Sequence, residues 1–133
     1  MARLEERLAE ATAALATLDE LAGRNDLSVV ERDGAILRLV YTFEAIWKAA
    51  ALLLEERERI AIGSPGAAIR SSRQVGWLSD EDAEAALKVA QERNLTVHMY
   101  RQGIGEAVAS HLADHAVVLR RWLDALQRRA AAE

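Results

Sequence analysis

Hydrophobic positions recur every three or four residues along most of this chain, a period that predicts amphipathic α-helices. The first such segment covers residues 2–22 and is followed by Gly23, a common residue just after a helix end. The second is the longest strongly patterned segment, and we predict that it is the central helix of the core. Its predicted buried face consists of Ile36, Leu39, Val40, Phe43, Ile46, Trp47, Ala50 and Leu54.

Three serines mark the starts of helices. Ser28 is followed three residues later by a glutamate, which fits a capping box at the start of the second helix. Ser64 directly precedes Pro65, so a third helix of about ten residues is predicted from there, with the serine as its N-cap. Ser79 opens a run of acidic residues, as the helix dipole favours, and a fourth helix is predicted from it to about Asn94.

The last patterned segment is predicted to be one helix over residues 106–128. Its apolar positions alternate four and three residues apart, the period of helices packed side by side, so another helix must cover them. These positions are Val108, Leu112, His115, Leu119, Trp122 and Leu126. Residues 128–133 have nothing to bury and are expected to fray. The pattern as a whole predicts an all-α bundle that forms a single domain over residues 1–133.

Composition narrows the possible functions of this bundle. The chain of 133 residues contains no cysteine, which excludes disulfides and thiolate metal sites and favours a reducing, cytoplasmic location. No apolar run resembles a signal peptide or approaches membrane-spanning length, so we expect no membrane association. The formal net charge of −4 argues against a surface that is basic all over, but it allows a local basic cleft.

Side chains suited to chemistry are concentrated between residues 93 and 100. On an unbroken helix Arg93 and His98 would be separated by about 140° around the axis and by about 7.5 Å along it, so they would not converge. Asn94 and Thr96 are weak helix formers. We therefore predict that the fourth helix ends near Asn94 and that the segment through Tyr100 is not regularly helical, which would let Arg93, His98 and Tyr100 face one cleft.

Such a cleft suits metal-independent cleavage of RNA. An arginine binds a phosphodiester in bidentate fashion and stabilises charge that develops on it, and a histidine can move a proton near pH 7. The 2′-hydroxyl would attack the adjacent phosphorus while Arg93 and His98 supply these two roles. The alternative, which the spacing alone favours, is that the two residues only cap a helix end through bonds to the backbone.

Two other pairs of polar residues are interpreted without a catalytic or metal-binding role. His111 and His115 have the spacing of a two-histidine metal site, but no third ligand follows at a defined spacing, and Asp114 points elsewhere. We interpret them as packed or interface histidines and predict no metal site. Glu44 and Lys48 lie four residues apart and are interpreted as a solvated ion pair.

The stretch from Arg93 to Tyr100 resembles the Arg-x4-His-x-Tyr motif of the HEPN superfamily, in particular of HepT-type toxins and nucleotidyltransferase substrate-binding proteins. The resemblance extends from about Val30 to the end of the last helix, since landmarks of the substrate-binding branch occur in the same order. These landmarks are Arg32-Asp33-Gly34, Tyr41-Thr42-Phe43-Glu44-Ala45-Ile46-Trp47-Lys48, Ser64-Pro65, Ile69-Arg70 and Gly76.

This resemblance implies an antiparallel bundle of four or five helices that forms a homodimer, with two Arg93/His98 sets near a shared cleft. It also implies a small nucleotidyltransferase partner, which would use ATP and Mg2+ to transfer AMP onto Tyr100, whereas this chain itself would need no cofactor. Bulk and negative charge at Tyr100 would then block RNA. The supporting residues implied around the motif are Asn94, Glu44, Trp47 and Lys48, the last three as core and cleft-wall residues.

Three functions remain open at this point. The first is a HEPN-type toxin with endoribonuclease activity, neutralised by the partner. The second is a non-catalytic subunit that presents a substrate to the nucleotidyltransferase. The third is a helical dimer whose polar residues only satisfy helix ends.

Overall fold

The computed structural model describes residues 2–101 and 103–132, and all regular structure in this part of the chain is helical. Six α-helices and one 3-10 turn follow each other there, which confirms the all-α prediction. Their bounds are α1 Ala2–Ala22, α2 Val29–Glu58, α3 Pro65–Gln74, α4 Asp80–Leu95, the 3-10 turn Thr96–His98, α5 Ile104–Ala109 and α6 Leu112–Ala131. None of the described helices is both long enough and apolar enough to cross a membrane.

The three serine caps predicted from the sequence are present. The Ser28 hydroxyl accepts from the backbone N–H of Glu31 at 3.1 Å, and the Glu31 carboxylate accepts from the backbone N–H of Ser28 at 2.9 Å, which completes the capping box. Ser64 and Ser79 each accept from the backbone N–H three residues later. These caps explain why α2, α3 and α4 begin where the sequence predicts.

Helix α2 is the centre of the bundle, as its pattern predicts. It packs against α1 and also contacts α3, α4, α5 and α6. Of its predicted buried face, Val40 and Trp47 are half-buried and the other residues are fully buried. A polar side chain buried on this helix loses its contacts with water and needs a partner from the protein.

The single last helix predicted from the sequence is wrong, because the chain breaks between α5 and α6. The Ser110 hydroxyl donates to the carbonyl of Ala107 at 2.7 Å, a local bond that competes with the helical ladder. His111 follows with φ −107° and ψ 3° and precedes the first residue of α6. The apolar seam is nevertheless buried on both sides of the break, from Val108 through Leu126.

The end of α6 also differs from the prediction, since the helix continues to Ala131 instead of ending near Arg128. The guanidinium of Arg57, near the end of α2, donates to the carbonyls of Arg129, Ala130 and Ala132 at 2.7–2.9 Å. These carbonyls have no partner within α6, so an arginine from another helix satisfies them. The predicted fraying also included Glu133, which lies outside the described residues.

Candidate functional site

The candidate site lies where α4 ends. Helix α4 stops at Leu95 and continues as the 3-10 turn, close to the predicted end at Asn94. The Thr96 hydroxyl donates to the carbonyl of Arg93 at 2.6 Å, which occupies an acceptor of the last helical turn. The 3-10 turn is wound more tightly than an α-helix, so His98 points in a different direction from the one that a continued α-helix would give it.

Arg93 turns toward α2. Its Nη1 lies 3.1 Å from the Oε1 of Glu44, and its guanidinium lies 5.6 Å from the centroid of the Phe43 ring. The side chains of Arg93 and Glu44 are each less than one-third exposed, while the Arg93 Nε is buried without a hydrogen-bond partner among the described residues. The ion pair with Glu44 and the contact with the Phe43 ring together hold the Arg93 guanidinium at the surface of α2.

Glu44 is held from two directions. Besides the ion pair with Arg93, it accepts a hydrogen bond from the indole Nε1 of Trp47 at 3.0 Å. The predicted ion pair with Lys48 is therefore wrong, and Lys48 is exposed. The reason is that Arg93 approaches from another helix and provides a less solvated partner than a lysine one turn along α2. Glu44 and Trp47 thus form the wall against which Arg93 packs.

His98 and Tyr100 contact each other on the turn that follows α4. The His98 Nδ1 lies 3.3 Å from the Tyr100 hydroxyl, and their rings are edge-on with centroids 5.9 Å apart. Tyr100 is 79 % exposed, so its hydroxyl is open to solvent, and Asn94 is exposed as well. Within the described residues no hydrogen bond joins Arg93 to His98. Direct contacts therefore form two pairs, Arg93 with Glu44 and His98 with Tyr100.

Sequence analysis missed a buried polar cluster next to this site. Glu92 accepts from His111 Nδ1 at 2.7 Å through one carboxylate oxygen and from His115 Nε2 at 2.6 Å through the other. Its position continues the buried face of α4 that includes Val89. A carboxylate on an apolar face was the available signal, because such a group must be paired. We refer to Glu92, His111 and His115 as the histidine cluster.

Burial controls the protonation of His115. Removal from water lowers its pKa below the ordinary value, and the hydrogen bond and charge of Glu92 oppose this without cancelling it. His111 and Lys88 add a smaller contribution that also lowers the pKa. A neutral imidazole then donates its Nε2 proton to the Glu92 carboxylate. This confirms the interpretation of His115 as a packed histidine with a hydrogen bond.

Solved structures with similar folds define the class of this protein. A structure of a protein from Thermus thermophilus is 47 % identical in sequence, with a TM-score of 0.86 over 89 % of this chain and 99 % of the other. A mutant of the toxin–antitoxin pair MntA-HepT is 16 % identical, with a TM-score of 0.77 over 94 % and 97 %. A toxin–antitoxin structure with AMP-PNP is 13 % identical, with a TM-score of 0.68 over 92 % and 96 %.

These structures share the all-α bundle of this chain, in agreement with the predicted fold class. The particular family follows from the sequence itself, since residues 6–128 match the model of the family described as nucleotidyltransferase substrate binding protein like. The chain belongs to this family. No curated protein matches the chain.

Proposed function

We propose that this protein is the toxin of a toxin–antitoxin pair, an endoribonuclease that needs no metal ion for catalysis and is neutralised by a partner nucleotidyltransferase. The observation that carries the proposal is the pairing of His98 with Tyr100 on an open turn, directly after the helix that holds Arg93. Membership in the nucleotidyltransferase substrate binding family and a fold shared with two toxin–antitoxin structures support it.

In the proposed reaction the 2′-hydroxyl oxygen of RNA attacks the adjacent phosphorus, and the bond from phosphorus to the 5′-oxygen breaks. His98 moves the proton that leaves the 2′-hydroxyl or the proton that the 5′-oxygen gains. Arg93 stabilises the negative charge on the phosphoryl oxygens. Glu44, Trp47 and Phe43 hold the guanidinium in position, so that little reorganisation is needed when the phosphate arrives.

The proposed off switch is transfer of AMP onto Tyr100. Its hydroxyl would attack the α-phosphorus of ATP held with Mg2+ by the partner, and pyrophosphate would leave. The exposure of Tyr100 makes the hydroxyl accessible for this step. Because the hydroxyl lies 3.3 Å from His98 Nδ1, the product would place a negatively charged phosphodiester beside the catalytic histidine. RNA would be excluded by sterics and by repulsion.

A homodimer in the cytoplasm is part of the same proposal. Two copies would bring two Arg93/His98 sets to one cleft, so that the two pairs seen within one chain could be completed across the interface. Leu95 and Val97 lie within the motif and are apolar and exposed, so they are available for contact with a second copy. The absence of cysteine in the sequence agrees with a reducing compartment.

Growth inhibition and RNA cleavage test the catalytic proposal. Induced wild-type protein should stop growth, while His98→Ala and Arg93→Ala should not. Purified wild type should cleave RNA in the presence of EDTA, and His98→Ala should be slower by about 100-fold or more. Arg3→Ala, which removes an exposed cation of α1, is the matched control for Arg93→Ala and should remain toxic. Equal growth inhibition by wild type and His98→Ala would overturn the proposal.

Intact mass tests the off switch. Co-expression with the partner nucleotidyltransferase should add the mass of AMP to the wild type and to Tyr41→Phe, but not to Tyr100→Phe. The chain has two tyrosines, and Tyr41 is a suitable control because its hydroxyl is already hydrogen-bonded to Thr17 at 2.5 Å. An increment that persists in Tyr100→Phe would place the modification elsewhere.

A second candidate function is a non-catalytic subunit that presents a substrate to the nucleotidyltransferase. The ion pair between Arg93 and Glu44 favours it, because the cation that would bind RNA already has an anionic partner. The net charge of −4 also weakens attraction to RNA in general. This function predicts a stable complex with the partner and no RNA cleavage at any protein concentration.

A further inference from the structure

The histidine cluster brings together three side chains that can coordinate a metal ion. One carboxylate oxygen of Glu92, Nδ1 of His111 and Nε2 of His115 all lie within 4.8 Å of one another. Glu92 comes from the last turn of α4, whereas the two histidines come from the break before α6 and from its first turn. The third ligand that the spacing of the histidines lacked is therefore supplied by a different helix.

We propose that Glu92, His111 and His115 form a binding site for a divalent transition metal ion, with Zn2+ as the best fit. Imidazole nitrogens with a carboxylate oxygen suit Zn2+, whereas Mg2+ and Ca2+ prefer sites made only of oxygen atoms. This reverses the preference for a site without metal that the sequence alone supports. The proposal is independent of the proposed function.

The geometry requires a modest rearrangement of the cluster. With metal–ligand bonds of about 2.0–2.2 Å, ligand atoms in a tetrahedral site lie about 3.3 Å apart. The two hydrogen bonds to Glu92 measure 2.6 and 2.7 Å and end on different carboxylate oxygens. One carboxylate oxygen and the two imidazole nitrogens already lie within 4.8 Å of one another, so movements of about 1–1.5 Å bring them to the spacing that the ion needs.

The proton balance is also simple. In the hydrogen-bonded state His111 Nδ1 and His115 Nε2 each donate to a carboxylate oxygen of Glu92. When the ion binds, the proton on each coordinating nitrogen moves to the other nitrogen of the same ring, and the freed lone pair coordinates the metal.

Solvent can reach the cluster from one side. The side chain of His111 is 36 % exposed, whereas those of Glu92 and His115 are 12 % and 4 % exposed. Three protein ligands with one accessible side leave room for a water molecule as the fourth ligand. The ion would join the end of α4 to the start of α6, one residue from Arg93, and would stabilise this junction.

Metal titration of three single variants tests the site. The chain has three histidines, so His98→Gln is a matched control for His111→Gln and His115→Gln. After treatment with EDTA and its removal, wild type and His98→Gln should bind one Zn2+ per chain, measured by calorimetry or by competition with a chromophoric chelator. Either cluster variant should lose affinity by at least about tenfold.

Two further readouts separate metal binding from mere stability of the fold. Zn2+ should raise the Tm of the wild type and of His98→Gln, but not that of His111→Gln. Co2+ bound in place of Zn2+ should show the visible absorption of a tetrahedral site in the same two proteins. His111→Gln is the decisive variant. Because His111 is the most exposed member of the histidine cluster, its replacement should disturb the buried core less than replacement of His115 does.

Two outcomes would overturn the proposal. Zn2+ binding of equal strength in wild type and His111→Gln would mean that the cluster is hydrogen-bonded only. Loss of binding in His98→Gln instead would assign the ion to the motif. Neither outcome depends on nuclease activity, so the metal site and the proposed function can fail separately.

Discussion

Glu92 and Arg93 are adjacent in the last turn of α4, yet they belong to regions with opposite properties. Glu92 points inward, and both of its carboxylate oxygens are occupied by histidines. Arg93 points to the surface of α2, where its ion pair with Glu44 remains partly exposed. In the inner region the polar groups are hydrogen-bonded to each other within the fold, so this region is suited to stabilising it. The outer region keeps groups accessible and is suited to binding.

The histidines of the two regions show the same difference. His115 is 4 % exposed in its side chain and is locked between α4 and α6, whereas His98 contacts Tyr100 on a turn without a buried partner. A residue type alone thus says little about its role. Burial and the number of fixed hydrogen bonds separate a histidine that holds the fold from one that stays accessible.

The largest expected effect follows from truncation of Glu92. Glu92→Ala leaves the two imidazole N–H groups without their acceptor in a site that water reaches only from the His111 side, so we expect a loss of about 3 kcal/mol in the free energy of unfolding. Urea denaturation measures it. Glu84→Ala, an exposed glutamate on the same helix, should change stability by less than about 0.5 kcal/mol. Similar losses in both variants would remove the distinction between the two regions.

A smaller effect is expected from truncation of single histidines. His115→Ala removes a buried side chain and one hydrogen bond, so we expect a loss of about 2 kcal/mol in the free energy of unfolding. His98→Ala should cost about 0.5 kcal/mol or less, because its side chain lies on an open turn. Thermal or urea unfolding of the two variants compares them directly. A greater loss for His98→Ala would contradict the assignment of the two histidines.

The smallest effect should appear as a pH dependence. Burial holds the pKa of His115 below its usual value, so the unfolded chain binds the proton more readily than the folded one. Stability should therefore fall as the pH drops below about 6.5 and recover as it rises through that value. Urea titrations of wild type and His115→Gln between about pH 7.5 and 5.5 measure the difference. Parallel curves for the two proteins would show that His115 does not titrate in this way.

Much of the fold was predictable because its signals are local. The Ser28 and Ser64 caps act over three residues, and the periodic pattern of α2 reports directly on its buried face. The break at Ser110 was not predictable in this way. The apolar positions Val108 and Leu112 keep the spacing of a continuous helix across the break, so the pattern carries no sign of it.

The candidate site was predictable only in part, for the same physical reason. Asn94 and Thr96 are weak helix formers, and they indicated the end of α4 correctly. Arg93 as the partner of Glu44, and the two histidines as partners of Glu92, were missed because they come from distant parts of the chain. Spacing along one helix can reveal a neighbour four residues away, but not an arginine or a histidine that tertiary packing brings into contact.

Arg93 carries its own counterion, and any anion that binds the guanidinium has to compete with it. Glu44 is tethered beside the guanidinium, so its effective concentration there is of millimolar order or higher. Chloride or free phosphate at lower concentration cannot compete with it. A ligand that brings a phosphodiester together with other contacts can displace the carboxylate, because the remaining contacts hold the phosphate in place. Under the proposed function, the ion pair would therefore favour a phosphodiester within a larger ligand over a small free anion.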